Sequence, residues 1–78
     1  MNDEELVKRN KDIPTSEIEK DISDTEAEIV EMEREIKGFR ILGDRWSVMK
    51  ADNRVRGIKE RKEFIDKLKV ILKARKEV

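Results

Sequence analysis

The chain has 78 residues, of which 36% are hydrophobic and 49% are charged, so it is long enough for one small domain with a modest core. It contains no cysteine and no histidine, which excludes disulfides, thiol chemistry, the commonest metal ligand and the commonest general base. One proline and three glycines among so many charged residues are typical of long helices, and we expect an all-α fold.

The nineteen basic and nineteen acidic residues cancel, but they are unevenly distributed along the chain. Residues 1–36 hold 13 acidic and 5 basic residues, which gives −8. Residues 37–78 hold 6 acidic and 14 basic residues, which gives +8. The sequence therefore predicts a strongly dipolar molecule with one acidic and one basic half.

Residues 1–14 are expected to form a mobile N-terminal tail, within which Asp3–Arg9 could form a short helical turn. The first ten residues are acidic and lack an apolar core, and the longest apolar run of the chain is Val70–Leu72. We therefore expect neither a signal peptide nor association with a membrane, and we expect a cytoplasmic location.

A first long helix is predicted over about residues 16–42, within a single domain that spans 15–78. Ser16 is the expected N-cap, because Glu19 follows three residues later at the spacing of a capping box. Apolar residues then recur at alternating steps of four and three, as in a heptad seam. The seam consists of Ile18, Ile22, Thr25, Ile29, Met32, Ile36 and Phe39.

The predicted turn lies at Gly43 and Asp44, because glycine readily ends a helix in the left-handed conformation and aspartate is a strong N-cap. A reversal at 51–53 is the alternative position. A second helix is expected over about 45–77, and its seam is out of phase with the first. This second seam consists of Val48, Ala51, Val55, Ile58, Lys62, Ile65, Lys69 and Leu72.

The two helices are predicted to form an antiparallel hairpin, packed as a coiled coil, in which facing residues have numbers that add to 87. This register places Thr25 opposite Lys62 in a polar layer. It also brings three pairs of opposite charge within reach of each other. These pairs are Glu35 with Arg54, Glu28 with Arg61, and Glu26 with Lys59.

A further apolar flank on the second helix, formed by Phe64, Leu68 and Ile71, predicts self-association. Two hairpins could bury this flank as a homodimeric four-helix bundle. In the alternative, a monomer, Phe64 and Leu68 fold over lysine stems and the N-terminal tail.

The hairpin tip is the expected site of contact with an unidentified protein partner. An aromatic residue among arginines is typical of interaction surfaces, and the residues concerned are Trp46, Met49, Leu42 and Arg45. The same region could instead contact phosphates through Arg40, Arg45, Lys50, Arg54 and Arg56. The competing structural interpretations are that Trp46 and Met49 close the end of the core, and that the arginines form a solvated face.

No residue set indicates catalysis or a cofactor. The glutamates of residues 26–35 alternate around a solvated helix. No apolar surroundings are available there to raise the pKa of one of them for acid–base catalysis. We therefore expect a non-enzymatic coiled-coil protein that self-associates and acts as a small protein-interaction module. The alternative is a small nucleic-acid-binding regulator that uses the basic second helix and the tip.

Overall fold

The computed structural model describes residues 2–76, and these form three helices without any strand. Helix α1 spans Asp3–Arg9, α2 spans Thr15–Leu42 and α3 spans Arg45–Lys76. The two long helices pack against each other and α1 packs on α3, which gives an elongated body of 52 × 23 × 17 Å. The expected all-α fold is confirmed. Met1, assigned to the predicted tail, and Glu77, the last residue predicted to be helical, lie outside the described residues.

Helix α2 begins one residue before its predicted start and without the predicted capping box. Its N-cap is Pro14, whose carbonyl accepts hydrogen bonds from the backbone N–H groups of Glu17 and Ile18. Ser16 lies inside the first turn, so the prediction that it caps the helix is wrong. The fixed φ of proline, here −60°, directs the chain into the helix without a side-chain cap.

The apolar seam predicted for α2 is confirmed. Every third or fourth residue of this helix is shielded from solvent, as expected for a helix with one buried stripe. Thr25, Met32 and Phe39 are half-buried along this stripe. The buried members are Ile18, Ile22, Ile29 and Ile36.

The seam predicted for α3 is half wrong. Ala51, Ile58 and Ile65 are buried as expected, and they form the line of α3 residues that faces α2. The residues assigned between them are exposed, namely Val48, Val55, Lys62 and Lys69. The opposite flank of the same line faces the core instead, through Ser47, Arg54, Arg61 and Leu68. Lys62 therefore lies outside the helix interface, and the predicted polar layer between Thr25 and Lys62 does not form.

Two cross-helix ion pairs account for this choice of flank. Arg54 Nε lies 2.8 Å from Glu35 Oε2, and Arg61 Nε lies 2.8 Å from Glu28 Oε2. An arginine at the edge of an interface covers apolar surface with its stem while its guanidinium group reaches a carboxylate. Both of these predicted pairs are confirmed, whereas the expected pair of Glu26 with Lys59 is absent from the described residues.

The N-terminal segment folds back over the C-terminal part of α3. Leu6 of α1 and Ile13 pack against the buried cluster. Arg75 secures this segment by donating hydrogen bonds to the Asn10 carbonyl at 2.9 Å, the Ile13 carbonyl at 2.6 Å and Thr15 Oγ1 at 2.8 Å. Whether the segment is mobile stays a prediction, but these contacts tie it to the helix pair.

The predicted dimer flank is partly buried within the single chain. Leu68 and Ile71 are only 8% and 1% exposed within the single chain, while Phe64 remains exposed. Two of the three residues expected to contact a second copy are therefore buried within the single chain. Of the two that the monomeric alternative concerns, Leu68 is buried and Phe64 is exposed. Within residues 2–76, no helix combines the length and the apolar character that a membrane crossing requires.

Candidate functional site

The connection between α2 and α3 is short and well defined. Gly43 has φ 66° and ψ 2°, and its N–H donates to the Phe39 carbonyl at 3.1 Å, which closes the last turn of α2. Asp44 then accepts a hydrogen bond at Oδ1 from the Ser47 backbone N–H at 3.2 Å. These are the two positions at which the sequence predicts the turn, and their conformations are those expected of a helix stop and a helix N-cap.

Charge at the turn follows from this geometry. Hydrogen bonding from the Ser47 side chain, reinforced by the Ser47 backbone N–H, lowers the pKa of Asp44 below its ordinary value. Asp44 is therefore ionised at neutral pH and adds a negative charge at the positive end of the α3 dipole.

Exposed apolar side chains surround this turn. Ile41 is 84% exposed, Leu42 is 71% exposed and Trp46 is 68% exposed. Met49 is also exposed. We call these four residues the turn patch. Exposed apolar residues grouped at one turn mark interaction sites more often than isolated ones do. The competing interpretation, in which Trp46 and Met49 close the end of the core, is wrong because neither side chain is buried.

The predicted phosphate contacts fall into two groups. Arg54 is committed to Glu35, and Lys50 Nζ lies 5.7 Å from the centre of the Phe39 ring, within the range of a cation–π interaction. The other three residues are exposed and make no ion pair with any of the described residues. They are Arg40, Arg45 and Arg56.

The turn region as a whole is basic. Residues 37–56 contain six basic and two acidic residues, so their net charge is 6 − 2, or +4. Arg45 lies between Asp44 and Trp46 and belongs to both the charged and the apolar surface. The turn patch is therefore an apolar surface within a positively charged region.

Two grooves lie away from the turn. One, of about 620 Å³, separates α1 from the C-terminal part of α3 and is lined in part by Val7, Val70 and Ala74. The other, of about 390 Å³, runs along one side of the helix pair between Val30 and Lys62. Among residues 2–76, no three acidic side chains are grouped so that they could hold a metal ion. Both grooves are lined by apolar side chains together with carboxylates and lysines.

Sequence reasoning missed the second groove and the role of Arg75. The groove lies beside Lys62 and Lys69, exposed residues whose heptad spacing predicts packing against α2. Arg75 lies seven residues after Leu68 and fourteen after Arg61, so its position on the core-facing flank could have been found by following the other step of the heptad.

No protein-family model, curated protein or solved structure matches this chain.

Proposed function

We propose that this protein is a non-enzymatic antiparallel helical hairpin, packed as a coiled coil, that binds a protein partner through the turn patch and associates with a second copy of itself. The observation that carries the proposal is the exposure of Trp46, Leu42 and Ile41 beside exposed arginines at one short turn. Tryptophan and arginine are the residues most enriched among those that dominate binding energy at protein interfaces.

The pattern of contacts supports the hairpin. Glu35 and Arg54 are 19 residues apart, Glu28 and Arg61 are 33 apart, and Thr15 and Arg75 are 60 apart. A sequence separation that increases with distance from one turn is characteristic of two helices that run in opposite directions.

The shape of the turn supports a docking role. Gly43 and Asp44 hold the two helix ends in fixed conformations, so the turn patch is preorganised and loses little conformational entropy on binding. We expect the partner to offer an apolar recess for Trp46 with a rim of acidic side chains facing Arg40 and Arg45.

The test is a capture experiment with a quantitative second stage. The full chain, Trp46→Ala and the matched control Phe64→Ala are used to capture partners from the native host. The captured protein is then purified and its affinity for each chain is measured. We expect Trp46→Ala to weaken binding by about 2 kcal/mol or more, which is about 30-fold, and Phe64→Ala to leave it unchanged. Equal affinities for all three chains would exclude the turn patch as the docking site.

A second candidate function follows from the exposure of Arg40, Arg45 and Arg56, which have no ion-pair partner among the described residues. Three free guanidinium groups could contact phosphates of a nucleic acid, with Trp46 stacked on a base. Binding of this kind weakens steeply as salt rises, because counterions are released from the phosphates. Titration with structured RNA and duplex DNA at low and physiological salt separates the candidates, since no binding at low salt eliminates this one.

A further inference from the structure

The two sides of the helix pair are not equivalent. One side is closed by the ion pairs of Arg54 with Glu35 and Arg61 with Glu28. Lys50 adds to this closed side by lying over the ring of Phe39. Val30 lies on the other side of α2, because Glu28 and Val30 flank the buried Ile29 in opposite directions.

This other side, which we call the open face, lacks any cross-helix ion pair among the described residues. It contains the groove of about 390 Å³ at the seam between the helices. Charged side chains from both helices line the groove but form no ion pair across it among the described residues. Its lining consists of Glu26, Ile29, Val30, Lys62, Ile65, Asp66 and Lys69.

Apolar side chains continue the open face toward the turn. Val48 and Val55 are seven residues apart on α3 and are each 45% exposed, and Val30 on α2 is 49% exposed. Helix α3 thus carries, on either side of the shared line formed by Ala51, Ile58 and Ile65, one flank that packs against α2 and a second flank with exposed valines. A helix needs two such flanks when it touches two neighbours, as it does in a four-helix bundle.

We infer that the open face binds the same face of a second copy of this chain, with α2 of each copy lying against α3 of the other. The inference rests on the self-association proposed above and assigns it a surface. Charge complementarity selects the occupant and its orientation. On the open face α2 presents Glu26 and Glu33, whereas α3 presents Lys59, Lys62 and Lys69 around one acidic residue of the groove, Asp66, so that its balance is basic.

This orientation corresponds to a two-fold axis parallel to the helices. It brings Glu26 of one copy to the level of Lys62 in the other, because these residues already line the same groove within one chain. A two-fold axis perpendicular to the helices would place the acidic α2 against its own copy, and like charges across an interface are unfavourable. Phe64 and the N-terminal segment take no part in this interface.

The test uses two complementary charge reversals, Glu26→Lys and Lys62→Glu, measured by sedimentation equilibrium over a range up to high micromolar protein. We expect the unaltered chain to dimerise. Each reversal alone places like charges at both symmetry-related contacts between residues 26 and 62. We therefore expect it to weaken the affinity of the dimer about tenfold or more. An equal mixture of the two variants regains opposite charges at both contacts, so we expect heterodimers as stable as the original dimer. Glu60→Lys, an exposed residue away from the groove, is the control for a change of net charge.

Three results would overturn this assignment. A chain that remains monomeric at high micromolar concentration would exclude the dimer altogether. A dimer that survives Val30→Asp and Val55→Asp but dissociates with Phe64→Asp would have a different interface. A mixture of the two reversals that fails to restore dimers would exclude the pairing of α2 with α3. Circular dichroism of each variant verifies that the helices are intact, and none of these changes touches the turn patch, so partner binding through Trp46 can be scored separately on the same proteins.

Discussion

At the scale of single residues, the three glycines occupy different environments. Gly43 has a positive φ of 66°, a conformation that residues with a side chain adopt at a cost. Gly38 lies inside α2, and a Cβ added there would meet nothing within 4 Å. Gly57 lies inside α3, but a Cβ there would come within 2.7 Å of the terminal methyl of Met32. The same substitution should therefore have opposite effects along the chain.

Replacing Gly43 with alanine should lower the free energy of unfolding by about 1 kcal/mol, and valine at this position by about 1–2 kcal/mol, because both force a Cβ into the left-handed region. Replacing Gly38 with alanine should raise the free energy of unfolding by about 0.5–1 kcal/mol, through helix propensity alone. Gly57→Ala should gain less than Gly38→Ala, since Met32 has to move. Urea denaturation of the four variants measures these differences, and a stabilising Gly43→Ala would show that the helices are not separated at this residue.

Asp44 should make stability sensitive to acid. Its pKa is lowered in the folded chain, so its contribution to stability is present above the unfolded value of 3.8 and disappears as pH falls through the lower folded pKa. We expect Asp44→Asn to reduce the loss of stability between neutral pH and that window. Thermal melts of the two proteins at matched pH values test this, and parallel pH profiles would contradict the capping role of the carboxylate.

At the scale of the helices, the apolar period is compatible with either flank of α3 facing α2, and the ion pairs distinguish between the two. From Ile58 the next core position of α3 can lie three residues on, at Arg61, or four residues on, at Lys62. Only Arg61 finds a partner, Glu28, at 2.8 Å, and it also donates to the Gly57 carbonyl at 3.2 Å. Both side chains of this ion pair are partly exposed, so the pair contributes only modestly to stability. It nevertheless favours one flank of α3 over the other.

Two double-mutant cycles test which flank of α3 faces α2. Glu28→Gln with Arg61→Met should show a coupling energy of about 0.2–1 kcal/mol that declines as salt is added. Thr25→Ile with Lys62→Leu should show no coupling, because Lys62 is exposed and lies outside the helix interface. Coupling in the second cycle and none in the first would mean that α3 is rotated to the flank that the apolar period alone suggests.

At the scale of the whole molecule, the N-terminal segment is held by a small number of contacts. Helix α1 has seven residues, none of them buried, and a groove separates Val7 from Val70 and Ala74. Leu6, Ile13 and the hydrogen bonds of Arg75 therefore carry the attachment. A segment with so few buried contacts is expected to open before the helix pair unfolds.

Arg75→Met should release this segment selectively. It removes three hydrogen bonds from a charged donor, each of which is worth up to about 1.5–3 kcal/mol when shielded from solvent. We expect hydrogen exchange of the amides in residues 5–13 to accelerate about tenfold or more, while the centres of α2 and α3 keep their protection. Lys76→Met, at the exposed neighbouring position, is the matched control. Uniform acceleration over all three helices would show that the segment and the helix pair unfold as one unit.

The sequence by itself determined the features that depend on near neighbours. The helical composition, the seam of α2 from Ile18 to Phe39, and the stop and start at Gly43 and Asp44 each arise within a few residues of the chain. The ion pairs of Glu28 and Glu35 could also be foreseen, since they follow from the position of the turn.

Only the tertiary structure decided which flank of α3 meets α2, because steps of three and four are equally compatible with a helix and differ only in the partner that each side chain finds. It likewise decided that Leu68 and Ile71 are buried within the single chain, in a cluster against which Leu6 and Ile13 of the N-terminal segment pack, because no local pattern encodes such long-range contacts. At the turn patch, the order of residues placed Trp46 beside arginines. Its exposure followed from the direction in which α3 leaves Asp44, which rotates Ser47 into the core and turns Trp46 toward solvent.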